Sequence, residues 1–591
     1  MDQRNERLRA LRQEMKREGI DALLIPTADY HDSEYVSDYF KTREYYSGFT
    51  GSNGTLVVFM EEAGLFTDGR YFIQAEKELS GSGIDLYRMG EEGVPTIFEL
   101  LEQKLKSGSR IAADGRVITL KFAEQLERVC EKCHFLLRTD CDLAGKLWKE
   151  RPKRPAGKIR KLSKELCGED VPEKLERVRK VLEKNGCDGI FLNRLDDIMW
   201  LFNIRGEDVR YNPVALSYAF VDKERAVLFL QDTTFSAGDG CIVEDYDCVG
   251  EWLSHNLLKG QKIAVDRNHI SAYFHEIIRL RAEAVKTENP IEILKAVKNE
   301  TEIENIRKVY RNDSAAVVKF LYWLKQNIGK VPMTEVSVSD CLHRKREECE
   351  GFLEESFPTI SAYRENAAMM HYEPSLEHPV KIEAEGTLLV DSGGQYEGGT
   401  TDVTRTIVLG EITQKEKLHF TKVACGMLRL SNAKFLEGCT GRNLDILARQ
   451  PLWELGIDYK CGTGHGIGYM LNVHEGPQAV RYKPTELSSD GILRPGMLLS
   501  DEPGVYLEGE YGIRTENVLL VKKAEKTSSG QFLCFEMLTF VPIDLEAVDV
   551  SLMEEKDRIL LNQYHKAVYE TIAPLLTEEE AEWLKTQTAP V

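Results

Sequence analysis

The stretch Asp391–Thr406, DSGGQYEGGTTDVTRT, decides how the rest of the chain is read. A strand-like run, TLLVD (Thr387–Asp391), leads into it, and TDVTRTIVL (Thr401–Leu409) leads out. Glu397-Gly398-Gly399 between them reads as a hairpin turn. A hairpin symmetric about the Tyr396–Glu397 bond puts Asp391 opposite Asp402, with Cβ atoms about 4.5–5.5 Å apart. The glycines leave room for a wider loop or a bulge. The pattern recurs downstream. MLLSD (Met497–Asp501) and GIRTENVLLV (Gly512–Val521) are strand-like and join through Gly509, which sets Glu502 opposite Glu516. Pro503 holds Glu502 extended. Like charges opposed across a ladder are destabilising unless neutralised, and metal is the simplest neutraliser. With the glycine-flanked His465, the four carboxylates suit two adjacent divalent cations, whose charge of about +4 balances theirs. Oxygen-rich ligation with one nitrogen favours Mn²⁺, Co²⁺ or Zn²⁺ over a thiolate zinc site. Paired metals of this kind are a hydrolytic device.

Upstream, LRALRQEMKREGIDALLI (residues 8–25) returns as LERVRKVLEKNGCDGIFL (residues 175–192). Leu8 matches Leu175, Leu11 matches Val178, Met15 matches Leu182, Gly19 matches Gly186 and Asp21 matches Asp188. Each copy is an amphipathic helix stopped by glycine and followed by an apolar strand, so two similar α/β domains stand in tandem. Between them Lys149–Lys164 (KERPKRPAGKIRKLSK) is a basic, proline-bearing linker without the aromatics of a nucleic-acid patch. A second boundary falls near Asn289–Glu300, ahead of a long helix over Glu302–Gln326. The expected domains are therefore 1–155, 156–305 and 306–591, with every candidate ligand in the third. The tail, Leu552–Gln587, reads as helical packing.

Composition fits a multidomain enzyme. A chain of 591 residues exceeds a single core. A net charge of −20 argues against a nucleic-acid partner. The N-terminal MDQRNERLRALRQEM lacks an apolar signal core, and no apolar run is long enough to span a membrane, so a cytoplasmic location is expected. The 13 scattered cysteines read as reduced thiols. Cys130 and Cys133 form a lone CEKC with no second pair nearby.

Several motifs carry a family resemblance. TDVTRT, GTGHGIGYMLNVHEGP, DEPGVY and GIRTENVLLV resemble the signatures of the pita-bread metallopeptidases. With YYSGFTGSNGT, TDGRYF, WLFNIRG, NPVALSYA and KAVKNETEIENIR, the chain is similar over nearly its whole length to three-domain Xaa-Pro aminopeptidases. The resemblance implies two creatinase-like N-terminal α/β domains and a C-terminal pita-bread catalytic domain, a curved antiparallel sheet backed by helices. It implies two divalent ions, Mn²⁺ foremost, with Asp402 and Glu516 bridging them, Asp391 completing one shell, and His465 with Glu502 the other. A hydroxide between the metals would be the nucleophile, and Glu502 would pass its proton to the leaving proline nitrogen. His371 (in AAMMHYEP) and His474 (in NVHEGP) would contact the scissile carbonyl or the tetrahedral intermediate, while Arg514, with Tyr506 nearby, would orient the carboxylates. Where many relatives have a further histidine, four residues before the metal histidine, this chain has Cys461, a weak donor. The implied substrates are peptides with proline at position two, and the implied assembly is a homodimer. A prolidase cutting Xaa-Pro dipeptides is the main alternative, though the duplicated N-terminal domain counts against it. A methionine aminopeptidase would not need so long an upstream region. A non-catalytic pita-bread binding protein would have lost ligand positions that are filled here.

Overall fold

The repeat seen in sequence is also a repeat in space. The computed structural model describes residues 3–238, 240–483 and 491–591. Helix Gln3–Glu18 buries Leu8, Leu11 and Met15 and feeds strand Ala22–Pro26. Helix Val171–Lys184 buries the matching Leu175, Val178 and Leu182, and strand Gly189–Leu192 follows at the same offset. Gly19 and Gly186 end the two helices at φ +66° and +67°, the left-handed conformation that glycine adopts without a Cβ penalty. An Asp170–Glu173 capping box starts the second helix.

Each strand then sits at the same place in a six-stranded mixed sheet. The first sheet runs 84–88, 63–67, 55–59, 22–26, 110–113, 136–138, and the second 242–245, 226–230, 217–222, 189–192, 262–265, 283–286. In both, the repeat strand is antiparallel to the following hairpin strand and parallel to a later one. The linker between them is pinned as well as solvated. Arg151 pairs with Asp142 and Arg154 with Asp247, and Arg160–Lys161 forms a short ladder with Ile204–Arg205.

By its contacts the chain divides into two units, Met1–Lys164 with Glu169–Ile291, and Glu165–Gly168 with Glu292–Val591. The second unit is antiparallel wherever its strands pair. It opens with helix Glu300–Asn327, started by an Asn299–Glu302 capping box, and continues with helix Glu335–Glu347. These precede the first acid hairpin. Helices Gln414–Ser431 and Gly441–Trp453 precede the second. Each half thus contributes two helices and one hairpin. Val318, Val408, Phe420, Val505, Ile513 and Leu561 meet in one core that joins both hairpins to the helices behind them. The tail forms helices Glu555–Ile572 and Glu578–Gln587 against that core. Among the described residues no helix is long and apolar enough to cross a membrane.

Candidate metal centre

Both hairpins open their ladders beside an acid, the first at Asp402 and the second at Glu502 and Glu516. In the first, strands Thr387–Ser392 and Val403–Val408 pair as far as Ser392 with Val403, and pairing resumes at Gln395 with Thr400. Asp402 lies in the gap. In the second, pairing stops at Asp501 with Asn517 and resumes at Gly504 with Arg514, so Glu502 and Glu516 face the gap together. The amides freed there turn to neighbouring strands. Glu502 N–H donates to Thr463 O at 2.8 Å and Glu516 N–H to Thr404 O at 3.1 Å.

The second hairpin has the expected register about Gly509, but the first does not. Asp391 faces Thr404, two residues past Asp402. The chain turns at Glu397–Gly398, with Gly398 at φ +109° and Tyr396 paired to Gly399, rather than at the Tyr396–Glu397 bond. Because strand side chains alternate with period two, the shift moves Asp402 to the diagonal without moving it to the other face.

The ligand atoms of Asp402, His465 and Glu516 lie within 4.8 Å of one another. His465 Nε2 is 3.3 Å from Glu502 Oε1 and 3.5 Å from Asp402 Oδ2. His465 Nδ1 lies 2.9 Å from Gly466 O; donation there leaves Nε2 aimed at the acids. Ser500 Oγ accepts from His465 N–H and donates to Glu502 Oε1, both at 2.9 Å. Gly464 must be glycine, since a Cβ would sit 1.9 Å from Ser500 O. The His465 and His474 rings meet edge to face at 4.3 Å.

The hairpins support each other's acids. From the second, Arg514 Nη2 donates to Asp391 Oδ2 at 2.5 Å, Nη1 to Tyr506 Oη at 2.7 Å, and Nη2 also to Met370 O at 3.3 Å. From the first, Thr404 Oγ1 donates to Glu516 Oε2 at 2.8 Å and accepts from Arg514 Nε at 3.2 Å. His371 follows Met370 and precedes Tyr372, whose hydroxyl donates to buried Glu335 at 2.6 Å. The Cys461 carbonyl accepts from Arg449 at 2.7 Å, and its half-buried side chain packs against the core that Tyr506 also borders. Sequence reading singled out the acids and histidines but missed Thr404 and Ser500. Each is two residues from an acid that lies just beyond the end of its strand, so spacing carried a signal for both.

Taken as protein groups alone, these charges conflict. Burial drives Asp402 and Glu516 well above the carboxylate range, and neighbouring carboxylates push them further. Burial also raises Asp391, against the pull of Arg514. Burial raises Glu502, but the hydrogen bond and charge of His465, the charge of Arg514 and the Ser500 hydroxyl together hold it low. Burial lowers His465, yet Glu502 and Asp402 outweigh it and leave it at about 9. Asp391 Oδ1 and Glu516 Oε1 are buried with no hydrogen-bond partner among the described residues. Buried carboxylate oxygens left unpaired are expensive. Hard divalent cations would satisfy them and cancel the repulsion, so the residues fit a metal centre.

The comparisons agree with that chemistry. Residues 304–523 match the model of metallopeptidase family M24 and 531–591 its C-terminal region. Residues 7–140 and 150–302 each match a creatinase/prolidase N-terminal domain. Aminopeptidase P2 of Arabidopsis thaliana is 38% identical over 97% of this chain and 86% of its own length. Xaa-Pro aminopeptidase 1 of Dictyostelium discoideum is 35% identical over 99% and 96%. The X-prolyl aminopeptidase of Caenorhabditis elegans, described as a cytosolic enzyme with a di-nuclear active site, superposes with a TM-score of 0.94 at 32% identity, over 100% of this chain and 99% of that one. An Xaa-Pro dipeptidase of Bacillus anthracis, 27% identical with a TM-score of 0.50, spans 64% of this chain and 99% of its own. The chain belongs to metallopeptidase family M24, among its Xaa-Pro aminopeptidases, with two creatinase-type domains ahead of a pita-bread domain.

Proposed function

We propose, from that membership, that this protein removes the N-terminal residue from peptides whose second residue is proline. One observation carries the choice over a dipeptidase: the match to aminopeptidases runs the full length of the chain, whereas the Bacillus dipeptidase accounts for 64% of it. The scissile bond is a tertiary amide whose nitrogen carries no hydrogen, so the leaving nitrogen must receive a proton.

Asp391, Asp402, His465, Glu502 and Glu516 would hold two divalent ions; Mn²⁺ is the first choice, with Co²⁺ or Zn²⁺ in reserve. When bound, the ions would neutralise the acids and supply an activated hydroxide by lowering the pKa of water towards about 7. The remaining work belongs to the chain. Arg514 holds Asp391 and Thr404 holds Glu516, which fixes the two carboxylates in place. Glu502, steadied by Ser500, carries the proton to the leaving nitrogen. His474 and His371 contact the carbonyl or the intermediate, a role in which one donor is worth about 3 kcal/mol. Tyr506 keeps Arg514 in place.

The test is product analysis of the Mn²⁺-loaded protein with Arg-Pro-Pro and, separately, Ala-Pro. Free arginine, with slow cleavage of the dipeptide, is the expected result. Preferential cleavage of Ala-Pro would make it a prolidase. Silence on both, with metal bound, would remove the substrate class. The proposal extends to a cytosolic homodimer with domains 1–155, 156–305 and 306–591. The location follows the description of the Caenorhabditis enzyme, and exposed Ile446 and Trp453 on one helix offer apolar surface for a second copy. A strict monomer by light scattering at micromolar concentration would remove the dimer.

A further inference from the structure

Three charged side chains with no part in the proposed chemistry are buried beside His474. Glu475, Lys295 and Lys298 have side chains 2%, 3% and 0% exposed. Lys295 Nζ donates to Glu475 Oε2 at 2.9 Å, and Lys298 Nζ donates to Glu475 Oε1 and, at 3.2 Å, to Lys295 O. Glu302, also buried, adds a second carboxylate close enough to act on Lys298. Taking such ions out of water costs several kcal/mol each, and replacing a buried cluster by apolar side chains is often neutral or stabilising. Stability therefore does not explain this cluster, and its position gives a better reason for it.

Glu475 closes the loop that carries His474. In the ladder of Gly464–Gly466 with Glu475–Val480, His465 pairs with Ala479, and the next step pairs Gly466 with Glu475. Residues 467–474 leave and return at that step, so the place of Glu475 sets where His474 emerges. The other side of the clamp is the start of the catalytic unit. Glu292 and Lys295 lie about one turn apart on helix Pro290–Ala296, and Lys298 follows just past its end. An added Cβ on Gly476 would lie 2.7 Å from Glu292 Oε1, so this segment lies directly against residues 475–476. Lys298 N–H donates to Gly496 O at 3.0 Å and ties the segment down from behind.

We propose that Lys295 and Lys298 are positioning residues for His474, setting its ring through Glu475. The inference rests on the role given to His474 above. It makes residues 292–298, where the chain enters the catalytic unit, part of the active-site scaffold rather than a passive connection.

The experiment uses the full-length Mn²⁺-loaded protein with Arg-Pro-Pro. Lys298→Met is expected to lower kcat about tenfold or more, with KM within about threefold and metal content unchanged. Lys298→Arg should recover most of the loss. In a His474→Ala background, Lys298→Met should cost no further kcat, because what it positions is gone. Wild-type kcat in Lys298→Met, or a loss that multiplies with that of His474→Ala, would overturn the clamp, as would a His474→Ala enzyme with wild-type kcat. A merely structural role would lower thermal stability and leave the kcat of folded, metal-loaded protein intact. If Lys298→Met does not fold, Lys295→Met is read in the same way. A wild-type protein that releases no arginine would bring down the proposed function; an active one with independent losses would bring down only the clamp.

Discussion

The two acid hairpins follow one plan and differ in two details. Both interrupt their ladders at an acid, Asp402 in the first and Glu502 with Glu516 in the second. The first closes on the two-residue turn Glu397–Gly398, and the second on three residues, Glu508–Glu510, with Gly509 at φ +73°. Both carry a buried arginine: Arg514 of the second pairs with the Asp391 carboxylate, while Arg405 of the first donates to the backbone carbonyls of Glu516, Pro542 and Val541, to Asn517 Oδ1 and to Tyr564 Oη. The first hairpin reciprocates with Thr404 on Glu516. A guanidinium holds the Asp391 carboxylate and a hydroxyl the Glu516 carboxylate, so loss of the two supports should be unequal even though each hairpin carries two acids.

The equivalence of the acids is the first thing to break. Asp402→Asn and Glu516→Gln should each reduce kcat by about 10³-fold or more, with loss of bound metal measured by elemental analysis, since each removes a carboxylate from the proposed ligand set. If one variant keeps both its metals and its activity, the hairpins are not equivalent at the ions. The asymmetry of support comes next. Arg514→Met leaves a buried carboxylate without its cation and should lower kcat/KM about 100-fold.

Arg405 predicts a third effect, in stability. Burial, helped by Arg405, pulls His565 down to about 3. The unfolded chain takes up that proton near the ordinary histidine value, but the folded chain does so only near about 3. The stability at stake is therefore complete above about pH 6.5 and is lost as pH falls through that window. Between pH 7 and pH 5 the loss comes to about 2 kcal/mol, and His565→Gln, followed by urea denaturation of the catalytic unit across pH, should flatten it. An unchanged slope would mean that the surroundings of Arg405 carry no such sensitivity. The smallest effect belongs to Thr404→Val, which removes one hydroxyl from Glu516 and should lower kcat about tenfold. A loss as large as that of Arg514→Met would erase the distinction between charged and neutral support.

These details also mark what the sequence could reveal. Local periodicity placed the tandem helices with Leu8, Leu11 and Met15 and their counterparts inward, because amphipathicity is written in adjacent turns. It placed the strands and turn of the second hairpin, where an odd loop centred on Gly509 leaves little choice of register. The first hairpin has two adjacent glycines, either of which can serve the turn, and nothing in EGG alone distinguishes the two registers. Contacts between distant residues are not written in local pattern, and only the family resemblance aimed Arg514 at the carboxylates. Arg514 with Asp391, Thr404 with Glu516 and Lys295 with Glu475 are 123, 112 and 180 residues apart, and no pattern within a strand or helix announces them.

The exchange of supports between the hairpins also constrains the order of events at the ribosome. Asp391 is made 123 residues before the Arg514 that holds it, which at about 5–20 residues per second is a delay of about 6–25 s. Through that interval the nascent first hairpin holds a carboxylate step without its guanidinium, and the Thr404 hydroxyl has no Glu516 to meet. On the proposed ligand set a half-made chain lacks Glu502 and Glu516, so metal capture would wait for the second hairpin to leave the exit tunnel.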